Sequence, residues 1–108
     1  MPKSLWETIS SFANTNGGYI ILGAVERKND VEVAGVSNPK TIIKSFWDTH
    51  NNPQKLNIPI CSETDVQTIN MDEHKVVVIR VPRANRAQLP VYINGNPMTG
   101  SFKRNYEG

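Results

Sequence analysis

Apolar positions along this chain fall into short segments whose spacing alternates between helical and extended. Leu5, Ile9, Phe12 and Ala13 share one helical face. Ser4 and Glu7 are spaced as a capping box ahead of that face, and Asn16-Gly17-Gly18 offers left-handed conformations that stop it. Tyr19 to Val25 follows as a nearly unbroken apolar run, expected as a central strand covered on both faces. A charged turn, Glu26 to Asp30, leads to Val31–Val36, and the two strands are expected to pair as a hairpin. Asn38-Pro39 then opens a second helix, with Asn38 as cap and Pro39 at the first helical position. Its stripe is Ile42, Ile43, Phe46, Trp47 and His50, and Asn51-Asn52-Pro53 ends it.

The rest of the pattern is extended. Ile58 to Cys61 reads as a short edge strand interrupted by Pro59. Val66–Met71 and Lys75–Val81 flank a turn at Asp72-Glu73-His74, and Pro82 to Pro90 is a polar, basic loop. Val91-Tyr92-Ile93 reaches an Asn94-Gly95 turn before a strand from Ser101 to Tyr106. This order predicts an α+β fold: a mixed, largely antiparallel β-sheet packed with two α-helices. A chain of 108 residues is sized for a single domain over residues 1–108. Its abrupt ends suggest a fragment of a longer regulator, with an open sheet edge able to drive homodimer formation.

Charge sharpens the picture. The net charge is +2, but residues 1–74 carry six Lys and Arg against nine Asp and Glu, whereas residues 75–108 carry six against one. Arg80, Arg83 and Arg86 lie within seven residues, and Lys103-Arg104 are interleaved with Phe102 and Tyr106. Cations of this kind neutralise phosphates, and the aromatic faces can stack on bases or support the basic stems. The five cations are therefore the candidate nucleic-acid contacts.

Other chemistry is poorly supported. His50, His74 and Cys61 lack metal-ligand spacing, so no metal and no cofactor is expected. His50 is expected to end the second helix, where positive charge would favour the dipole. Gly95 to Ser101 approaches a phosphate-binding loop but lacks the lysine after Gly100, and a hairpin loop is the better reading. The lone Cys61 suits a small buried hydrophobe in a reducing compartment. The sequence has neither a secretory signal pattern nor an apolar run of membrane-spanning length, which favours a cytoplasmic, non-membrane protein.

The stretch from Phe12 to Ala24 resembles the Phe-Ala-Asn-Thr-x-Gly-Gly signature of the Schlafen/divergent Alba domain, found in bacterial transcriptional regulators. Val33-Ala34-Gly35-Val36, Pro90 to Ile93 and Lys103 to Gly108 are similar to later parts of that domain. Phe12, Ala13, Asn14, Thr15, Gly17, Gly18 and Gly23 carry the signature, and their residue types suit a mainly structural role at a tight helix-to-strand reversal. The resemblance implies DNA or RNA binding, usually as a module of a larger regulator. Two alternatives to a plain binding module stand beside it, the first implied by the resemblance and the second by a basic face that could meet an acidic partner. One is a metal-dependent endonuclease of the Schlafen type, for which Glu26 and Asp30 are the acids after the central strand. That family site also draws on an acidic strand upstream, which this sequence, starting at Met1-Pro2-Lys3, does not carry. The other alternative is an oligomerisation or protein-interaction domain.

Overall fold

A computed structural model of the chain describes residues 3–27 and 30–103. It confirms an α+β fold. Helix α1 spans Lys3–Ala13, strand β1 Gly18–Leu22, β2 Ala24–Arg27, β3 Asp30–Val33, helix α2 Pro39–His50, β4 Val66–Met71, β5 His74–Val81 and a short helix α3 Pro97–Gly100. Among the described residues both sheets are antiparallel: a three-stranded sheet in the order β1-β5-β4, and the β2-β3 hairpin.

Register sorts the three-stranded sheet into two unlike faces. Ile20 pairs with Ile79 and Leu22 with Val77, while Val66 pairs with Ile79 across the other ladder. Side chains at these positions point the same way. They meet the apolar faces of both long helices, so Ile9, Ala13, Phe46, Val77, Ile79 and Val81 share one core. Trp6 stacks on Phe46 with centroids 5.3 Å apart, which ties α1 to α2.

Helix α2 follows its sequence signals. The Asn38 side chain accepts the Thr41 N–H, Pro39 opens the helix and Asn51 caps its end. Helix α1 departs slightly: it begins at Lys3, so Ser4 lies inside the first turn and not at the cap. There its carbonyl accepts the Thr8 hydroxyl at 2.9 Å.

The apolar run Tyr19–Val25 is not one central strand. Gly23, at φ 99°, breaks it into β1 and β2, and β2 pairs with β3 outside the main sheet. The Gly23 carbonyl accepts the Ala34 and Gly35 N–H groups, which fixes that departure. Among the described residues β1 is thus an edge strand paired with β5, and its outer side chains are exposed. The Ile58–Cys61 segment forms no strand. Pro59 has no donor to give, and the Cys61 N–H goes to His50 Nε2 at 3.0 Å. After Ile93 the Asn94-Gly95 turn is present, both residues having positive φ, but it leads into α3. Ser101 then makes an isolated bridge to Tyr92, and Phe102 and Lys103 lie outside any strand. No described helix is long and apolar enough to cross a membrane.

His50 also departs from expectation. It is buried and neutral, not a charged helix end: burial holds its pKa below the ordinary 6.5, opposed by the hydrogen bond to Asn51. With Nε2 accepting from Cys61, the assigned tautomer donates from Nδ1 to Asn51 Oδ1 at 2.8 Å. Below pH 6.5 the unfolded chain takes up a proton that folded His50 resists. The stability from neutral His50 is therefore complete above pH 6.5 and declines as pH falls through the folded value. Urea denaturation across this range should show that decline. His50→Leu should be less stable at neutral pH, because the Cys61 N–H loses its acceptor, yet show a flatter pH dependence below 6.5.

Candidate nucleic-acid interface

The turn joining α1 to β1 is built around one asparagine. Asn14 Oδ1 accepts the Val91 N–H at 2.7 Å, while Nδ2 donates to the carbonyls of Phe102 at 2.7 Å and Val91 at 2.9 Å. One turn earlier, the buried Ser10 hydroxyl donates to the Val91 carbonyl at 2.7 Å and accepts the Phe102 N–H at 3.0 Å. Two side chains on one helix face thereby hold two segments roughly eighty and ninety residues away. The Ala84 N–H donates to the Ala13 carbonyl at 2.8 Å and brings in the loop after β5.

The glycines of the turn are set by close packing. Gly17 has φ 76°, and a Cβ there would stand 2.6 Å from the Val81 carbonyl oxygen. A Cβ on Gly18 would meet the Phe12 ring at a similar distance. Phe12 packs against the core, and Ala13 and Thr15 are buried.

That scaffold delivers cations to one place. Arg80, at the end of β5, and Arg83, just beyond it, line a shallow cleft of about 270 Å³ with Asn16, Gly17, Gly18, Tyr19 and Pro82. Arg80 is half-exposed and its Nη1 lies 3.1 Å from Asp65 Oδ1. The Asp65 bond is the main cause raising its pKa, with Tyr19 adding to it. Asp65 is itself pinned. Burial alone would raise its pKa, but the Ser62 N–H at 2.8 Å, the guanidinium and the Ser62 hydroxyl together hold it below the usual carboxylate value. Neighbouring Cys61 is a buried thiol whose pKa is pushed up to about 12, mainly by burial.

The remaining candidate cations are spread more widely. Arg86 is exposed in a 3₁₀ turn, Arg86–Gln88, capped by Asn85. Lys103 is exposed and lines a separate cleft with Asn14, Leu89, Pro90, Ser101 and Phe102. Arg104 and Tyr106 lie outside the described residues. Phe102 is partly buried, packed against the core on one side and lining the cleft with Lys103 on the other. Among the described residues no group of three His, Cys, Asp or Glu could hold a metal ion.

Two residues of this region were missed from sequence. Asp65 pairs with Arg80 only because β4 and β5 are neighbours, which spacing does not reveal. Tyr19 was absorbed into an apolar run, yet it is 67% exposed. Its signal was period-two alternation with Ile20 and Leu22, hidden by the expectation of a strand covered on both faces.

The family model described as Schlafen, AlbA_2 matches residues 1–107. The chain belongs to this family. The Schlafen/AlbA_2 chain is also similar to a solved structure, the solution NMR structure of the N-terminal domain of a protein named Putative ATP-dependent DNA Helicase RecG-related Protein, from Nitrosomonas europaea. The TM-score is 0.72 at 27% identity, covering 97% of this chain and 72% of that one. A search of curated proteins returns no match.

Replacing Asn14 tests the scaffold. Asn14→Ala strands the Val91 N–H and should cost roughly 2–4 kcal/mol in denaturant unfolding. Asn14→Asp should cost no less, because a carboxylate would face the two carbonyls that the amide now donates to.

Proposed function

We propose that this domain is a nucleic-acid-binding module of a larger regulator, contacting phosphates of DNA or RNA through a basic surface. The surface comprises Arg80, Arg83, Arg86 and Lys103, together with Arg104 beyond the described residues. The observation that carries this reading is the shared cleft: the family's helix-to-strand turn and two arginines far along the chain form one concave site. Guanidinium groups suit bidentate phosphate contact. Membership of the Schlafen/AlbA_2 family and likeness to a DNA-helicase-related domain support the same direction. A role in transcription control rests on the resemblance to regulators that carry this domain.

Contacts of this kind release counterions, so affinity should fall with salt, by a slope of roughly 0.9 per neutralised phosphate for duplex DNA. Fluorescence anisotropy across a salt series measures it. Arg83→Ala should weaken binding to all sequences alike and flatten the slope by about 1. Arg83 suits this test better than Arg80, whose loss would leave buried Asp65 unpaired. A slope near zero would sink the proposal.

A further inference from the structure

We propose that the open face of the β1-β5-β4 sheet binds an unpaired nucleic-acid strand, with Tyr19 stacking on a base while Arg80 and Arg83 meet the neighbouring phosphates. This rests on the nucleic-acid reading above and narrows its substrate class.

The face is defined by register. Tyr19 lies opposite Arg80 and Ile21 opposite Val78; Gln67 lies opposite Val78, Ile69 opposite Val76 and Met71 opposite His74. By alternation these lie on the face away from the helix-covered core; Val76 among them is fully buried, so the accessible part of the face is formed by Tyr19, Ile21, Gln67, Ile69 and Met71 with Arg80. Tyr19 is 67% exposed, Ile21 48%, and Ile69 and Met71 42% each. Most of the large exposed hydrophobics of the described residues therefore lie on one sheet surface, and such a concentration marks a binding surface.

Charge selects the occupant. None of the nine positions on that face is acidic, and Arg80 and Arg83 border it at the Tyr19 end. Asp65 beside Arg80 already serves the guanidinium, Ser62 N–H and Ser62 hydroxyl. An apolar surface with a cationic border suits a ligand that has flat apolar faces and anionic links between them. The bases of a duplex hide those faces in their own stack, whereas an unpaired strand presents them. Tyr19 lies directly opposite Arg80 in the β1-β5 register, so the ring and the cation that would take the phosphate are neighbours.

The test compares labelled single-stranded oligonucleotides, DNA and RNA, of about twelve nucleotides with a duplex of the same length, by anisotropy at low salt. The single strand should bind more tightly than the duplex. Tyr19→Ala should weaken it by roughly 5- to 100-fold and cost the duplex distinctly less, while Tyr19→Phe, which keeps the ring, should stay within about threefold of the parent on both ligands. Because Tyr19 is mostly exposed, both variants should keep the parent's melting curve. If Tyr19→Ala binds the single strand as the parent does while Arg83→Ala weakens both ligands, stacking is refuted and the phosphate reading stands. If no oligonucleotide binds, both fall. If the parent binds no oligonucleotide but sediments as a dimer that Tyr19→Ala dissociates, the face is a self-association surface and the proposal is overturned.

Discussion

The fold depends on the hydrogen bonds that Ser10 and Asn14 make to the backbone of Val91 and Phe102. The described part of the segment after β5 makes only isolated bridges and adds no strand to the main sheet, so the backbone of Val91 and Phe102 needs other partners. Buried N–H and carbonyl groups without partners are costly. Two side chains one helical turn apart supply those partners, and the end of α1 becomes the point where the C-terminal part of the chain is anchored. A serine and an amide suit the task because each can donate and accept at once.

This anchoring turns the signature's amide toward the interior. Asn14 spends its amide on internal backbone, and Gly17 and Gly18 are required because the Val81 carbonyl and the Phe12 ring occupy the space of their missing side chains. What the turn achieves is placement. It sets β1 against β5 so that Tyr19 stands opposite Arg80, with Arg83 at the same cleft.

The buried polar groups follow the same economy. His50 stays neutral to accept the Cys61 N–H, where Pro59 and the absence of a strand leave that donor without a ladder partner. Asp65 stays ionised because Ser62 and Arg80 surround it. In each case a titratable side chain completes backbone or ion-pair accounting at the edge of the core, and its pKa moves in the direction that the partner demands.

The sequence by itself determined both long helices, the β4-β5 hairpin, the Asn-Gly turn and the positions of the glycines at the α1-β1 reversal. These are local matters: periodicity, caps, proline at a first turn and glycine at a reversal depend on residues a few positions apart. The tertiary structure alone decided that Tyr19–Val25 would split at Gly23, that β1 would be an edge and β5 the centre, and that Asn14 would bind segments near residues 91 and 102. It also decided that Arg80 and Arg83, but not Lys103, would share the turn's cleft, and that Phe102 would pack inward while Tyr19 faced outward. Each of these depends on which distant strand lies alongside, because a side chain's face and its long-range partners are fixed by sheet register, and register is a property of the assembled sheet.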